Sequence, residues 1–437
     1  MLIYKEKVLL LIVGKGNENM PDYPESYLRL IKKSIDETCA GNIVLFPSGA
    51  SKKNAELVLK DYEKKYQIRI EDLPEKNTEF DADRCYEFFE EKFRELFQKG
   101  FRPENIVIDF THGTKAMSAA LYAIGMRYRV SDFHYIKRNN DKDGNLTAGE
   151  TVQNFDASYA RGLAILDQCK TLFKTWQFSA ASTLISSEKP SKKLANTFDQ
   201  VKLFADFYAT WDKLDYKKAA TMTPSSEIPG FNFATDQAVR DWIDALAKPI
   251  MEPDEECAEV LTQDQLDENA KTAINIMFDL YANGLRRLEA GQHEDAAIRA
   301  YRMAEMLGQI FLFQSGYISN HMSPSDPTVS AFAENNRLKA KNGDIYPPFG
   351  RKQVIKFLEH IKHPNADFLR SIDGRVESIR NESILIHGFS PRIEDTKALI
   401  EIFDDLLDHL KSLLGNEWQN KKDTALFMNK FKDKTNA

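Results

Sequence analysis

The sequence predicts an α/β domain with a parallel sheet, followed by an all-α domain. Short runs of apolar and β-branched residues alternate with helical patterns up to about residue 155. Beyond that point strand signals almost vanish, and apolar residues recur every three or four positions. A chain of 437 residues also exceeds what one hydrophobic core usually organises. We therefore predict two domains, residues 1–155 and residues 156–437.

In the first domain each predicted strand precedes a helix, which is the pattern of a Rossmann-like sheet covered on both faces. The predicted strands cover residues 8–13, 42–46, 68–73, 106–110 and 133–136. The predicted helices cover residues 23–39, 52–66, 81–98 and 115–128. Turn-forming residues at 139–145 then predict a hairpin that runs through residues 146–155.

The second domain is predicted to be helical throughout. Its clearest helical patterns cover residues 163–176, 270–288, 296–314, 354–361, 368–387 and 396–414. A cluster of turn-forming residues from Pro224 to Pro229 predicts a loop inside this domain.

Composition excludes several classes of protein. The net charge of −7 and a pI near 5.8 argue against a protein that coats nucleic acid through a broad basic face, so we expect no DNA partner. No apolar run approaches the roughly 20 residues that span a membrane, and the start has no secretory pattern, so we expect a cytoplasmic protein. The four cysteines are scattered, which predicts buried thiols instead of a zinc site or disulfides.

Three loops are predicted at the carboxyl ends of parallel strands, where backbone N–H groups and helix starts attract anions. None matches a dinucleotide fingerprint or a P-loop, and each can also be an ordinary turn. The third loop is the strongest candidate, because small and hydroxylated residues and a lysine lie at a strand-to-helix switch. The candidate ligand-binding residues are Gly14, Lys15, Ser48, Gly49, Asp109, Thr111, His112, Gly113, Thr114 and Lys115.

A second candidate site lies late in the chain, at Arg380, Asn381 and His387. Seven helical residues turn through about 700°, so Arg380 and His387 are predicted on one side of a helix, roughly 10 Å apart along its axis. An arginine can hold a phosphate, and a histidine can transfer protons. The alternative is a solvated helix face or a histidine satisfied in the core.

Two patterns in the sequence are similar to metal sites, but ordinary structure explains each of them better. Residues 139–150 carry the ligand spacing of an EF-hand, but a strand pattern precedes them, which favours a polar hairpin turn. His360 and His363 have no third ligand at a confirming spacing and are expected to be helix-end histidines. We predict neither a metal site nor a cofactor.

The two candidate sites resemble the two halves of one family. Arg380-Asn381 followed by His387-Gly388 resembles the motif of HEPN ribonucleases, with Tyr301-Arg302-Met303-Ala304-Glu305 and Gln309 upstream. The run from Asp109 to Met117 resembles the CARF sensor domain. Together they resemble the CRISPR-associated type III accessory ribonucleases of the Csm/Csx group, which carry both domains in this order.

That resemblance implies a homodimer with an allosteric activator, cyclic oligoadenylate, and we expect cyclic tetra- or hexaadenylate. The HEPN core, at about residues 265–415, would cut single-stranded RNA without a metal in antiviral defence. His387 would position or protonate oxygens at the scissile phosphate, Arg380 would neutralise developing charge, and Asn381 would orient the pair or the RNA. Arg302 and Glu305 are expected to form a supporting ion pair.

One departure from the family lies in the sensor loop, where His112-Gly113 replaces the usual Gly-Gly. The number of adenylates in the cyclic activator therefore stays open. Cleavage of the activator by Thr111, His112, Thr114 and Lys115 is an additional possibility. The alternative function is a cyclic oligoadenylate sensor or ring nuclease whose helical domain serves only dimerisation or partner binding.

Overall fold

The computed structural model describes residues 7–16, 18, 23–137, 151–228, 230–231, 235–253, 261–340, 345–382 and 396–431. It divides the chain into two compact units. Unit 1 comprises Met1–Ile165 and Lys189–Ala195, and unit 2 comprises Leu166–Glu188 and Asn196–Ala437. The EF-hand-like positions 139–150 and His387 lie outside the described residues. The predicted functional domains, residues 1–155 and 156–437, stay a prediction.

Unit 1 contains a six-stranded sheet in the order β3-β2-β1-β4-β5-β6. The first five strands of that order are parallel, and β6 pairs antiparallel with β5, which confirms the predicted α/β class. The strands are β1 (Val8–Val13), β2 (Asn42–Pro47), β3 (Gln67–Ile70), β4 (Ile106–Asp109), β5 (Asp132–Lys137) and β6 (Thr151–Asp156).

Helices cover both faces of this sheet. The central strand β1 is apolar at every position, so both of its faces need to be covered. Its alternating side chains enter two separate cores. One core joins Val8, Leu10 and Ile12 to the third and fourth helices, and the other joins Leu9, Leu11 and Val13 to the first two. The helices are α1 (Glu25–Thr38), α2 (Lys52–Tyr62), α3 (Ala82–Gln98) and α4 (Lys115–Arg127).

The rest of the described chain is helical, as the sequence predicts. Helix α5 (Ser158–Lys174) crosses the division between the two units. Unit 2 then contains α6 (Phe178–Ser186), α7 (Ala195–Asp212), α8 (Tyr216–Ala220), α9 (Gln237–Ala247), α10 (Gln263–Glu289), α11 (His293–Gln314), α12 (Pro327–Asn335), α13 (Arg351–His360), α14 (Ala366–Glu382), α15 (Thr396–His409), α16 (Lys411–Leu414) and α17 (Glu417–Ala425). None of the described helices has the length and apolar character needed to cross a membrane.

Helices α10 and α11 form the centre of unit 2. Helix α10 begins with a capping box, in which Thr262 accepts from Gln265 N and Gln265 Oε1 accepts from Thr262 N. Glycines allow close packing: a Cβ at Gly284 would collide with the ring of Phe403, and one at Gly308 would lie 3.1 Å from Val354. These contacts bring α13 and α15 against the central pair.

A buried polar cluster joins α7 and α8 to α10. Asp279 is fully buried and accepts hydrogen bonds from Trp211 Nε1 at 2.8 Å and Tyr216 OH at 2.9 Å. Asp212, at the end of α7, accepts from Asn283 Nδ2 at 3.0 Å and from Arg286 Nε at 3.1 Å. Burial raises the pKa of Asp279 to about 6, although the Arg286 charge and both hydrogen bonds act in the opposite direction.

Two of the cysteine predictions are confirmed and one is wrong. Cys85 and Cys169 are buried, and burial raises the pKa of each thiol to about 11. Cys39 is exposed; it caps the end of α1 in a left-handed conformation, and its Sγ lies 3.2 Å from the Asp36 carbonyl oxygen. Cys257 lies outside the described residues.

The raised pKa of Asp279 predicts a specific dependence of stability on pH. An aspartate in the unfolded chain titrates near 3.9, so the folded state binds this proton more tightly. The free energy of unfolding should therefore fall as pH rises from about 4 to about 6, and then become level. Asp279→Asn should remove up to about 3 kcal/mol of this fall.

Urea unfolding followed by tryptophan fluorescence at several pH values measures the effect, since Trp211 contacts Asp279 directly. Asp423→Asn, which changes an exposed aspartate of α17, is the matched control. Equal pH dependence in Asp279→Asn and the wild type would contradict the assignment.

Candidate functional site

Three loops of unit 1 meet at the edge of the sheet where its parallel strands end. We call this the carboxyl edge and define it as residues 14–16 after β1, 48–49 after β2 and 111–115 after β4. Because β2, β1 and β4 are neighbours in the sheet, the three loops lie side by side. The topology therefore brings together the three loops that the sequence predicts at the carboxyl ends of parallel strands.

The first and third loops touch through their backbones at two glycines. A Cβ at Gly14 would lie 2.9 Å from the backbone N of Gly113 and 3.0 Å from the Tyr27 hydroxyl. Gly113 itself has a φ of +88°, and a Cβ there would collide with Ile12 Cγ2. Only glycine fits at both positions without displacing its neighbours.

Side chains that the sequence analysis missed hold the first loop in place. Asn54 Nδ2 donates to the carbonyl oxygens of Gly14 at 3.2 Å and Lys15 at 3.0 Å. The Tyr23 hydroxyl also donates to Lys15 O at 2.9 Å, and Tyr27 OH accepts from Gly14 N at 2.7 Å. The sequence signal that could have identified Asn54 is a polar residue on the face of α2 that Ala55 and Val58 make apolar. In the structure this side chain is buried, with 3% exposure.

The second loop is fixed by two serines. Ser51 Oγ donates to Val13 O at 2.6 Å and accepts from Ser48 N at 2.8 Å, while the two hydroxyl oxygens lie 3.0 Å apart. Ser48 is therefore buried, and Gly49 is the exposed residue of the pair.

The third loop is held by its own polar groups. Asp109 is fully buried, and its Oδ1 accepts from Thr111 N at 2.8 Å. Thr111 Oγ1 accepts from Ile136 N at 2.9 Å. Thr114 caps α4, since its Oγ1 accepts from Met117 N at 3.2 Å and donates to Glu79 O.

Exposure divides the predicted binding residues at the carboxyl edge into three groups. Gly14, Ser48, Asp109 and His112 are buried, and the imidazole of His112 meets Tyr27 edge-on with 5.0 Å between ring centroids. Thr111 and Thr114 are partly buried. The exposed members are Lys15, Gly49, Gly113 and Lys115. Glycine backbone and two ammonium groups are thus what the edge offers to a ligand, and this chemistry suits phosphates.

Helix α14 carries the second candidate site at its carboxyl end. Leu369, Ile372, Val376 and Ile379 are buried at spacings of three and four, so the helix packs one face into the core. Arg380 and Asn381 belong to the last turn of α14, which ends at Glu382, and His387 lies outside the described residues.

Ionic contacts connect α14 to the rest of unit 2. Arg351 Nε lies 2.7 Å from Asp373 Oδ1, and its guanidinium covers the Tyr301 ring at 4.5 Å.

The predicted pair of Arg302 and Glu305 is confirmed, with 3.1 Å between Nη1 and Oε2. His360 ends α13, as expected for a helix-end histidine.

A depression of about 850 Å³ lies where α15 begins. Its walls come from the end of α10, the start of α11 and the start of α15, and include Leu288, His293, Thr396 and Ile400. Thr396 is the first described residue after the motif segment. No group of three or more His, Cys, Asp or Glu side chains in the described part of the chain could hold a metal ion.

The helical half matches a known domain family. Residues 265–413 match the Csm6 HEPN domain, and this range covers α10 to α15. This part of the chain is therefore similar to the Csm6 HEPN domain. The resemblance to type III CRISPR-associated ribonucleases is thereby confirmed. Arg380, Asn381 and His387 all lie within the matched HEPN residues.

The whole fold is shared with a solved structure, that of Enterococcus italicus Csm6 bound to cyclic hexa-2′-fluoro-hexa-dAMP. The match has a TM-score of 0.58 and 14% sequence identity, and it covers 98% of this chain and 100% of that chain. An α/β domain followed by a helical region with a HEPN domain is therefore a Csm6 architecture. A search of curated proteins returns no match.

The contact between the two glycines predicts a large effect of Gly113→Ala. The substitution adds strain at positive φ and a collision with Ile12, so the free energy of unfolding should fall by about 2–4 kcal/mol. Gly49→Ala is the control, because no atom lies within 4 Å of its added Cβ. Chemical unfolding of both variants measures the difference, and equal stabilities would contradict the described geometry.

Proposed function

We propose that this protein is a ribonuclease that cyclic oligoadenylate switches on and that cuts single-stranded RNA in type III CRISPR antiviral defence. The match of residues 265–413 to the Csm6 HEPN domain carries the proposal, since the predicted catalytic residues lie inside it. The solved Csm6 that shares this fold is bound to a cyclic adenylate hexamer, which supports the choice of activator class.

The proposed chemistry needs proton transfer and charge stabilisation. RNA carries its own nucleophile, the 2′-hydroxyl, and attack on the adjacent phosphorus gives a phosphorane with developing negative charge. In this proposal His387 transfers or positions a proton at the phosphate oxygens, and Arg380 neutralises the charge through its planar donors. Asn381 orients the pair or the RNA. The bond from phosphorus to the 5′-oxygen then breaks, the 5′-oxygen takes up a proton and leaves as a hydroxyl, and the other product ends in a 2′,3′-cyclic phosphate. Such cleavage proceeds without a metal.

Two copies of the chain are proposed to form the active enzyme. Pairing two HEPN domains would bring two copies of Arg380 and His387 to one RNA strand, concentrating positive charge in a protein of net charge −7. Activation requires that cyclic oligoadenylate bind more tightly to the arrangement in which this composite cleft is closed.

The carboxyl edge is the proposed activator site. A cyclic oligoadenylate presents several phosphates on a ring, and the exposed Lys15, Lys115, Gly49 and Gly113 offer ammonium groups and accessible backbone. The activator is expected to be cyclic tetra- or hexaadenylate. Assays across cyclic tri-, tetra- and hexaadenylate identify the ring size.

Cleavage of the activator at the same edge is a second candidate activity. It is favoured by the imidazole of His112, which the third loop holds against Tyr27 next to Gly113. Either activity can exist without the other, so they are separated by variants of different residues.

Replacement of the proposed catalytic histidine gives the decisive prediction. His387→Ala should lower RNA cleavage at least about 100-fold, since general acid–base catalysis contributes 10²- to 10⁴-fold. Binding of cyclic oligoadenylate should persist. His321→Ala, which changes a partly buried histidine outside the motif, should cut RNA at the wild-type rate. Cleavage is measured on labelled single-stranded RNA with EDTA present.

The same assay includes the outcomes that reject the proposal. Unchanged cleavage in His387→Ala, or a strict need for a divalent ion, would remove the HEPN mechanism. Loss of the cyclic oligoadenylate over time in the absence of RNA cutting, abolished by His112→Ala, would instead establish the ring-nuclease alternative.

The first loop predicts a variant that affects activation alone. Asn54→Leu removes both donors to the Gly14 and Lys15 carbonyl oxygens with little change in volume. The activator concentration that gives half-maximal cleavage should rise about tenfold, for roughly 1.4 kcal/mol of lost loop order, while the maximal rate is unchanged. Lys53→Leu, one residue earlier and exposed, is the control. An unchanged activation curve would show that this loop does not contact the activator.

A further inference from the structure

A mixed apolar and polar cavity of about 490 Å³ lies beside the central helix pair of unit 2, and no described residue of α14 lines it. Its apolar walls come mainly from α10 and α11. They include Ile276, Leu280, Met306 and Phe313, together with the Tyr216 ring. The volume falls within the range of small-ligand sites, which combine apolar walls with a few polar groups.

Polar side chains line this cavity and make few polar contacts with the rest of the described chain. The carboxamides of Gln309 and Asn320 line it, and neither side chain has a hydrogen-bond partner among the described residues. Arg302 also lines it, and its only ion pair in the described part of the chain is the one with Glu305, at 3.1 Å and half-exposed. A carboxamide both donates and accepts, so it matches the edge of a nucleobase.

The charges at the cavity favour a base over a free anion. Glu252 lines the same cavity as Arg302, so no net positive charge is available to hold an isolated phosphate. A base of single-stranded RNA satisfies each group: ring faces contact the apolar walls, and carboxamides and the carboxylate bind its donors and acceptors. The guanidinium of Arg302 can then contact the adjoining RNA phosphate.

The cavity also lies at a suitable place relative to α14. Helices α11 and α14 run antiparallel, because Gly308 packs near Leu369 whereas Tyr301 connects through Arg351 to Asp373. Arg380 lies seven residues beyond Asp373, about 10 Å further along the helix. Among the α11 residues that line the cavity, Arg302 is therefore the one nearest the motif end, and Gln309 lies farther away.

We propose that this cavity binds one unstacked base of the RNA substrate, a few nucleotides from the cut, and thereby sets the base preference of cleavage. The inference rests on the proposed ribonuclease function. It assigns substrate selection to Gln309 and Asn320, which are specificity residues and take no part in the chemical step.

The test compares two identical substitutions on one helix. Gln309→Leu removes a carboxamide from the cavity, whereas Gln314→Leu changes an exposed glutamine of α11 that does not line it. Activated cleavage of a randomised RNA pool, read by sequencing, should show a base preference at one fixed position from the cut. Gln309→Leu should reduce this preference about three- to tenfold, mainly through KM, as expected for one or two lost hydrogen bonds. Gln314→Leu should keep it.

Binding of uncleavable RNA separates failure of this inference from failure of the proposed function. The probes are four homopolymeric oligonucleotides with 2′-fluoro sugars, which lack the attacking hydroxyl. Base-selective binding that Gln309→Leu weakens supports the cavity, even if the protein cuts no RNA. Equal preference and equal binding in both variants would overturn the inference, as would binding of a peptide or protein in the cavity that RNA does not displace.

Discussion

The architecture of unit 1 depends on the close approach of two backbones at the carboxyl edge of the sheet. Gly14 follows β1 and Gly113 follows β4, and a Cβ at either position would meet neighbouring atoms at less than 3.0 Å. That approach is possible only because β1 and β4 are adjacent and parallel. The buried anchors Asn54, Tyr27 and Ser51 then fix the loops around it and leave lysines and glycine backbone on the outside.

The parts of the fold that are local in sequence could be predicted from it. The six apolar residues of β1 and the regular periodicity of α10 and α11 identify these elements and their class directly. Helices α7 and α9 were not predicted from the periodicity of the sequence. Helix α7 is aromatic-rich and buried around much of its circumference, which weakens the contrast between its faces.

The three loops of the carboxyl edge could be placed together from the sequence, but the exposure of their residues could not be predicted. Parallel topology alone places the three loops at one edge. It cannot say that Ser48 and His112 are buried while Gly49 and Gly113 are exposed, because this depends on contacts such as Ser51 to Val13, 38 residues apart. The two units also differ in chemistry: the carboxyl edge offers groups suited to phosphates, and the cavity of unit 2 offers carboxamides suited to bases.

The ion pair between Asp212 and Arg286 has a consequence for the limits of the HEPN domain. Arg286 lies within the matched residues 265–413, whereas Asp212 lies more than fifty residues before them. A fragment cut to the matched range would leave a guanidinium of 1% exposure without its carboxylate. Loss of one partner from such a pair costs about 3–5 kcal/mol. The range that matches the HEPN domain family therefore differs from the range that folds stably, because residues 265–413 depend on the preceding helix that carries Asp212.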